Sequence, residues 1–273
     1  SRSFPFLHST YNMNIFFLFG KSMIRNITVK AVLLRQHRVG EIHKRVDLVT
    51  EESGIISAMA HGAYKTRSKL SGITDPFSYA LVYLYFDPVK STYKITDIVV
   101  EDDFDNLRSN LKKYYYASFA AELVLKSFGG GEQIHELFHL LVAALQHLND
   151  AQETGALYIL VQFLWRYIRL LGFLPPVDHC GKCGKVIETD QAAYYYRREG
   201  TFVCRDCCKE TDPTLMPGAK AYLLHTTERD MGTVLNVSLD KKALDELKNL
   251  LLIMAEEIVE TPLNSLKTGA EFF

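Results

Sequence analysis

The stretch Val46-Asp-Leu-Val-Thr50-Glu-Glu-Ser-Gly54-Ile-Ile-Ser-Ala-Met-Ala60 decides the architecture of the first third of this chain. Two short β-rich runs flank Glu51-Glu-Ser-Gly54, which is a turn by composition: small polar residues and glycine sit where the backbone must reverse. Working outward, Ile27-Thr-Val-Lys-Ala-Val-Leu-Leu34 precedes the pair. Ser78-Tyr-Ala-Leu-Val-Tyr-Leu-Tyr-Phe86, ended by Asp87-Pro88, and Tyr93-Lys-Ile-Thr-Asp-Ile-Val-Val100 follow it. Five short strands with no helix-length apolar period among them predict a small closed barrel, with an OB-type barrel as the candidate.

Beyond residue 100 the pattern changes. Asp102 and Asp103 can cap a helix whose apolar positions Phe104, Leu107, Leu111, Tyr115, Phe119 and Leu123 follow a 3.6-residue period. Gly129-Gly-Gly131 breaks it. A second helix is predicted from about Glu132 to Leu148, and a third from about Thr154 to Leu171, stopping at Gly172 before Pro175-Pro176. The third is apolar almost all round and should be the buried centre of a helical bundle. Pro217 opens a short helix at its first position, and Asp240 caps Lys241–Val259. The fold class expected is therefore α+β multi-domain. Its parts are an OB-type barrel over 23–100, a helical domain over 101–179, a cysteine module over 180–210 inserted in it, and C-terminal helices over 211–273 packing on the helical domain.

The 273 residues are 48% hydrophobic and 23% charged, the balance of an ordinary soluble globular protein. Ile15-Phe-Phe-Leu-Phe19 is too short to span a membrane, and lacks the basic leader and small-residue cleavage site of a signal peptide. Residues 1–22 read as an extension before Met23 and are expected to be poorly ordered. No other segment resembles a membrane helix, so a cytoplasmic protein is expected. The net charge of -1 conceals an asymmetry: Ile24–Leu70 carries nine Lys and Arg against four acids, and no acid stands between Glu52 and Asp75. Such local imbalance suits a polyanionic partner.

Cys180-Gly-Lys-Cys183 and Cys204-Arg-Asp-Cys207 form the strongest chemical signal. Each short turn lets two thiolates reach one ion from the same side, and two turns complete a sulfur tetrahedron. The intervening Ala192-Ala-Tyr-Tyr-Tyr-Arg-Arg-Glu-Gly200-Thr-Phe-Val203 reads as two short strands around a Glu199-Gly200 turn, which fold the second knuckle back onto the first. Four thiolates leave no open position for a substrate, which points to a structural Zn²⁺; iron satisfies the same spacing. Two disulfides or a redox pair are disfavoured because nothing else suggests a secreted protein. Cys208, the fifth, reads as an adjacent thiol.

His135-Glu136-Leu-Phe-His139 is a literal His-Glu-x-x-His, the string that in zinc proteases places two imidazoles on one helix face with glutamate as general base. Helical projection sets both histidines at the edge of the polar face, and no third ligand is evident, Glu153 lying across a loop. A solvated helix face is the expected reading. Phosphate-binding glycine loops and nucleophile-elbow strings are absent from the sequence. The acidic run Glu101–Asp105 fits a helix N-terminus, where negative charge is favoured.

The segment His61-Gly-Ala-Tyr-Lys65-Thr-Arg67-Ser-Lys69-Leu70 offers cations at alternate positions, and in an extended segment Lys65, Arg67 and Lys69 would aim to one side. Arg35, Arg38, Lys44 and Arg45 surround the first turn and extend the patch. Tyr64 and His61 could stack on bases. Charge counting alone is equally consistent with a solvated basic loop.

Val49-Thr-Glu-Glu-Ser-Gly-Ile-Ile-Ser-Ala-Met-Ala-His-Gly-Ala-Tyr-Lys-Thr-Arg-Ser-Lys-Leu70, followed by Asp75-Pro-Phe77, resembles the signature of the bacterial recombination mediator family RecO. Leu170-Leu-Gly-Phe-Leu-Pro175, the two cysteine pairs and Pro262-Leu-Asn-Ser-Leu-Lys267 stand in that family's order, so the likeness runs from about Met23 to Lys267. Two departures stand out: His61 occupies a position where a cation is common, and residues 1–22 have no counterpart. The resemblance implies an OB-fold, a helical bundle and a zinc module. It further implies binding of single- and double-stranded DNA, strand annealing, partnership with RecR, and help for RecA in displacing single-strand-binding protein. It also implies a pocket in the helical domain for that protein's acidic C-terminal tail, for which Arg166 and Arg169 are the candidates.

The function expected is thus a non-enzymatic DNA-binding and strand-annealing recombination mediator in DNA repair. The alternatives are a zinc metalloprotease using His135, Glu136 and His139, and a scaffold whose barrel binds only protein.

Overall fold

A computed structural model of the chain describes residues 25–127, 133–259 and 261–273. The expectations for residues 1–22 and for the glycine break at 129–131 lie outside the described residues.

Five strands, β1 (Asn26–Val39), β2 (His43–Thr50), β3 (Gly54–Ala60), β4 (Tyr79–Asp87) and β5 (Thr92–Asp102), close into a barrel in the order β1-β2-β3-β5-β4. Neighbours are antiparallel except β3 and β5, which run parallel. This is an OB-like barrel, as the strand runs predicted. The unalternating apolar run in β1 has a structural cause. Ala31 and Leu33 point into the barrel core, while Val32 and Leu34 belong to a second core shared with the helices. In β2, Val46 and Leu48 line the barrel and Val49 the helical side. These strands are buried on both faces, so the usual in-out alternation is lost.

The expected first helix is two. Asp102 accepts the N–H of Phe104 at 2.9 Å, and a short helix α1 (Asp105–Ser109) follows. Asn110 then accepts the N–H of Lys113 at 3.1 Å and caps a new helix, α2 (Leu111–Ser127). An Asn side chain that bonds backbone N–H groups favours a cap over a helix interior, which is why a continuous apolar period gives a break here. Next come α3 (Ile134–Asp150) and α4 (Glu153–Leu170). As expected, α4 is the buried centre: Ile159, Phe163, Trp165 and Tyr167 are buried, and Gln162 is accommodated by donating to the hydroxyl of Thr226 at 2.7 Å.

A small sheet of β6 (Ala193–Tyr196), β7 (Thr201–Val203) and β8 (Thr214–Leu215) carries the cysteine module. The chain closes with α5 (Pro217–Thr226), α6 (Lys241–Val259) and α7 (Asn264–Thr268). Asp240 caps α6 as expected, accepting the N–H of Ala243 at 3.0 Å. The helices and the cysteine module share one buried cluster, separate from the barrel interior. No described helix is long and apolar enough to cross a membrane.

Candidate nucleic-acid interface and cysteine centre

The seven cations singled out in the barrel fall into two groups. Arg35 and Asp47 are register partners on β1 and β2, and the guanidinium grips the carboxylate at 2.9 and 2.8 Å. Lys44 is buried, 4% exposed, and its ammonium bonds Asp75 at 2.9 Å. The sequence expectation of a free cation at Lys44 is therefore corrected: β2 turns it under the loop, where it holds Asp75. The second group, Arg38, Arg45, Lys65, Arg67 and Lys69, is exposed.

The segment from His61 to Ser78 is a succession of turns, not an extended strand. Lys65 N–H bonds Gly62 O, Ser68 N–H bonds Lys65 O, and Asp75 N–H bonds Gly72 O. Gly62 adopts φ 72° and Arg67 φ 64°, both left-handed. The alternation argument consequently does not order Lys65, Arg67 and Lys69 along one side; they stand out from successive turns. Gly62 N–H is accepted by His43 Nδ1 at 3.0 Å, and Tyr64 N–H by Ile42 O at 3.0 Å, which ties the start of this loop to the β1–β2 turn.

That tie presents Tyr64. The residue is 43% exposed, and two cations lie over its ring, Arg38 at 5.2 Å and Lys44 at 5.0 Å from the centroid. Arg38 is braced by the carbonyls of Gly40 and Glu41 at 3.3 and 3.1 Å. A partly exposed aromatic ring with positive charge beside it can stack on a base while attracting phosphate. His61 lies edge-on against His43 with centroids 5.0 Å apart, and burial first, then His43, Lys94 and Lys90, push it below the usual imidazole value.

Register pairing also reveals a basic position absent from the sequence selection. Arg45 pairs with Met59, Met59 with Lys94, and Lys94 with Tyr85, so one row crosses β2, β3, β5 and β4. Lys94 lies 5.6 Å from the Tyr85 ring centroid and bonds Asp87 at 2.8 Å. Outward alternation in Tyr93-Lys-Ile was the available signal, but only the barrel closure places Lys94 in one row with Arg45, across Met59.

Arg166 and Arg169 lie on α4. Arg166 is half-buried and gives its guanidinium to the carbonyls of Thr226 and Arg229 at 3.0 and 2.5 Å, and to Gln162 at 3.3 Å. It braces α4 against the end of α5, contrary to a role as a free carboxylate receptor. Arg169 is exposed and paired with Glu228 at 2.5 Å, itself an exposed carboxylate that another could replace.

The four cysteines meet. Sulfurs of Cys180, Cys183, Cys204 and Cys207 all lie within 4.8 Å of one another, and those of Cys183 and Cys204 are 3.8 Å apart. A tetrahedron with metal–sulfur bonds of about 2.3 Å has edges of about 3.8 Å, so the residues fit a metal ion. Gly181 makes the approach of the two knuckles possible: a Cβ there would stand 2.3 Å from the Thr201 hydroxyl oxygen. Its N–H bonds Phe202 O at 2.8 Å, linking the first knuckle to β7. Burial works to raise the Cys180 thiol, but N–H donation from Cys183, Cys204 and Lys182 outweighs it and brings the value to about 6. Cys208 stands outside the cluster, directed at Arg205 O at 3.2 Å.

His135 and His139 are exposed, as helical projection predicted, but the expectation of no third donor is overturned. Glu51, from the β2–β3 turn, joins them. Glu51 stands 84 positions before His135 and 88 before His139 in the chain, and only the docking of α3 on the barrel brings it there. Glu136, the would-be general base, is exposed.

Comparison with known proteins agrees with this architecture. The family model described as "Recombination protein O N terminal" matches residues 23–104, and "Recombination protein O C terminal" matches residues 108–267. Among relatives named "DNA repair protein RecO", that of Bacillus velezensis is 28% identical over 232 residues, covering 84% of this chain and 88% of the relative. That of Bacillus subtilis is 28% identical over 231 residues, with 84% and 88% covered. That of Clostridium kluyveri is 27% identical over 248 residues, with 89% and 93% covered.

Proposed function

Because the chain belongs to the recombination protein O family, we propose that it binds single- and double-stranded DNA without sequence preference and anneals complementary strands. The family is one of DNA repair mediators, not enzymes. The observation that carries the reading is Tyr64, with Arg38 and Lys44 over its ring, at the start of a loop whose Lys65, Arg67 and Lys69 are exposed. Cations at this surface neutralise phosphates and release condensed counterions. Two strands held on one such surface repel each other less, so a short paired stretch can nucleate. Tyr64 offers a stacking surface that any base can use.

Arg45 and Arg35 extend the surface along the barrel. Arg35 contributes through a guanidinium edge left open beside Asp47, and Lys44 acts indirectly by orienting the loop and the Tyr64 ring. In the cell this activity would serve recombinational repair together with RecR, helping RecA to load onto DNA covered by single-strand-binding protein. Arg169, whose Glu228 partner is exchangeable, is the residue proposed to meet that protein's acidic tail. Zn²⁺ is the ion proposed for the four cysteines, with a structural role, since four thiolates fill its coordination.

The test is annealing of complementary oligonucleotides over a range of salt. The expected result is an acceleration that weakens as salt rises and is lost in the Lys65/Arg67/Lys69→Ala variant. Annealing that ignores salt, or survives that variant unchanged, would remove the proposal.

A further inference from the structure

His135, His139 and Glu51 bring three good metal donors together as a cluster distinct from the four cysteines, with both histidines exposed. The distances are His139 Nε2 to His135 Nε2 3.2 Å, His139 Nε2 to Glu51 Oε1 3.2 Å, and His135 Nε2 to Glu51 Oε1 3.9 Å. A tetrahedral zinc with bonds of about 2.0–2.1 Å to nitrogen and oxygen has ligand–ligand edges of about 3.3 Å. The three separations therefore resemble one face of such a tetrahedron. Histidines one helical turn apart project to the same side and converge on one ion.

Both supports of this face are anchored by packing and hydrogen bonds. Phe138, beside His139, is buried and packs edge-on against Tyr79 of β4 with centroids 6.1 Å apart, which fixes the rotation of α3 on the barrel. On the other side, Glu51 N–H bonds Lys30 O at 3.1 Å, and the Thr50 hydroxyl bonds Gly54 O at 2.8 Å while accepting the N–H of Ser53 at 2.9 Å. Glu51 is the more buried partner, its side chain 22% exposed against 61% and 53% for His135 and His139. Lys30, 4.0 Å from Glu51, is the nearest competing cation.

From this geometry we propose a second metal site, in which Glu51, His135 and His139 bind one divalent transition cation of the zinc class. The ion takes its ligands from the barrel and from the helical domain and so clamps one to the other. The remaining coordination position faces solvent and is filled by water. Soft thiolates make the cysteine centre the tighter site, and the mixed nitrogen and oxygen set the weaker, exchangeable one.

The test uses the full chain with its cysteine centre loaded. Equilibrium dialysis against Zn²⁺ should find one further ion per chain in the wild type that is missing in His139→Ala. Glu51→Gln should weaken that ion by more than the roughly 10- to 100-fold that loss of an outer-shell partner costs. Saturating Zn²⁺ should also raise the unfolding midpoint of the wild type and leave that of His139→Ala unmoved, because only an ion bound to the folded pair of domains stabilises it. Equal uptake by wild type and His139→Ala would overturn the site, leaving the three side chains as a hydrogen-bonded chain. Loss of the ion in His139→Ala but full retention in Glu51→Gln would overturn the clamp, leaving a chelate confined to α3.

Discussion

The carboxylate of Glu122, on α2, accepts both the backbone N–H and the hydroxyl of Ser265, at 2.8 and 2.7 Å, and so fastens the start of α7 to the helical bundle. It also accepts the N–H of Asn264 at 2.9 Å and pairs with Lys126 at 2.9 Å. The Pro262–Lys267 motif thus has a physical meaning: its Asn-Ser step presents two free helix-start N–H groups to a carboxylate more than a hundred residues upstream. Each group is one that α7 cannot satisfy within itself.

Glu122 carries the first prediction. Burial works to raise this carboxyl, but the donors from Ser265, Asn264 and Lys126 outweigh it and hold it at about 2, against an ordinary 4.5. A carboxyl depressed on folding binds its proton more readily in the unfolded chain. Its contribution is therefore complete above the ordinary carboxyl range and is lost as pH falls toward 2. Glu122→Gln should cost about 2 kcal/mol at neutral pH, the scale of hydrogen bonds to a charged group. Urea unfolding at pH 7 and pH 3 should show the gap between variant and wild type closing in acid. A gap that stays constant would mean the contact is not electrostatic.

Lys44 and Lys65 separate support from contact. Lys44 is buried against Asp75, and removing one partner leaves the other's charge with reduced solvation and no counter-ion. Lys44→Met should lower the unfolding midpoint and loosen the loop that carries Tyr64. Lys65 is exposed, and Lys65→Ala should leave thermal stability within about 0.5 kcal/mol while weakening DNA binding. Calorimetry and a binding titration on both variants decide this. A stable Lys44→Met protein with lost binding would return Lys44 to the contacts.

The contrast between those lysines also marks what could be read from the chain and what could not. Strand positions, the barrel and the cysteine tetrahedron depend on short β-rich runs, turn residues and short spacings, and Gly54, Gly200 and the paired knuckles state them directly. Lys44, Arg166 and Glu51 acquire their partners only through tertiary packing, from residues 31, 60 and 84 or more positions away. Composition shows that such side chains are charged and is silent on which carboxylate or carbonyl will consume the charge. The basic loop departs from an extended form for a related reason. Hydrogen bonds from Lys65, Ser68 and Asp75 fold it into turns, and short polar segments with glycine favour turns over extension.

Salt dependence gives the third prediction. For single-stranded DNA each neutralised phosphate adds about 0.7 to the slope of log affinity against log salt. Replacing Lys65, Arg67 and Lys69 together by alanine should flatten that slope by roughly 2. Tyr64→Ala should weaken binding by about 1–3 kcal/mol with the slope nearly intact, since stacking releases no counterions. Fluorescence anisotropy at several salt concentrations reads both quantities. A Tyr64→Ala variant whose slope falls as far as that of the triple variant would show that the ring acts only by holding Arg38 in place.

The cysteine centre gives the last prediction. Its four sulfurs sit on two turns joined by the hydrogen bond from Gly181 to Phe202, and the module shares its apolar core with the helices while the barrel keeps its own. Removing the ion should therefore loosen the helical side and leave the barrel folded. At a free metal concentration about a hundredfold above the dissociation constant, binding adds about 2.7 kcal/mol of stability. Chelation or Cys204→Ser should remove a contribution of that order, lowering the unfolding midpoint by several degrees and reducing solubility as apolar surface near Tyr195 and Phe202 is released. The affinity of the folded fraction for single-stranded DNA should change little, because Tyr64 and the exposed cations belong to the barrel. Metal analysis alongside calorimetry and anisotropy checks the pair of outcomes. Unchanged stability with lost affinity would place the knuckles themselves against DNA, through Lys182 or Arg205, and would move the interface from the barrel to the cysteine module.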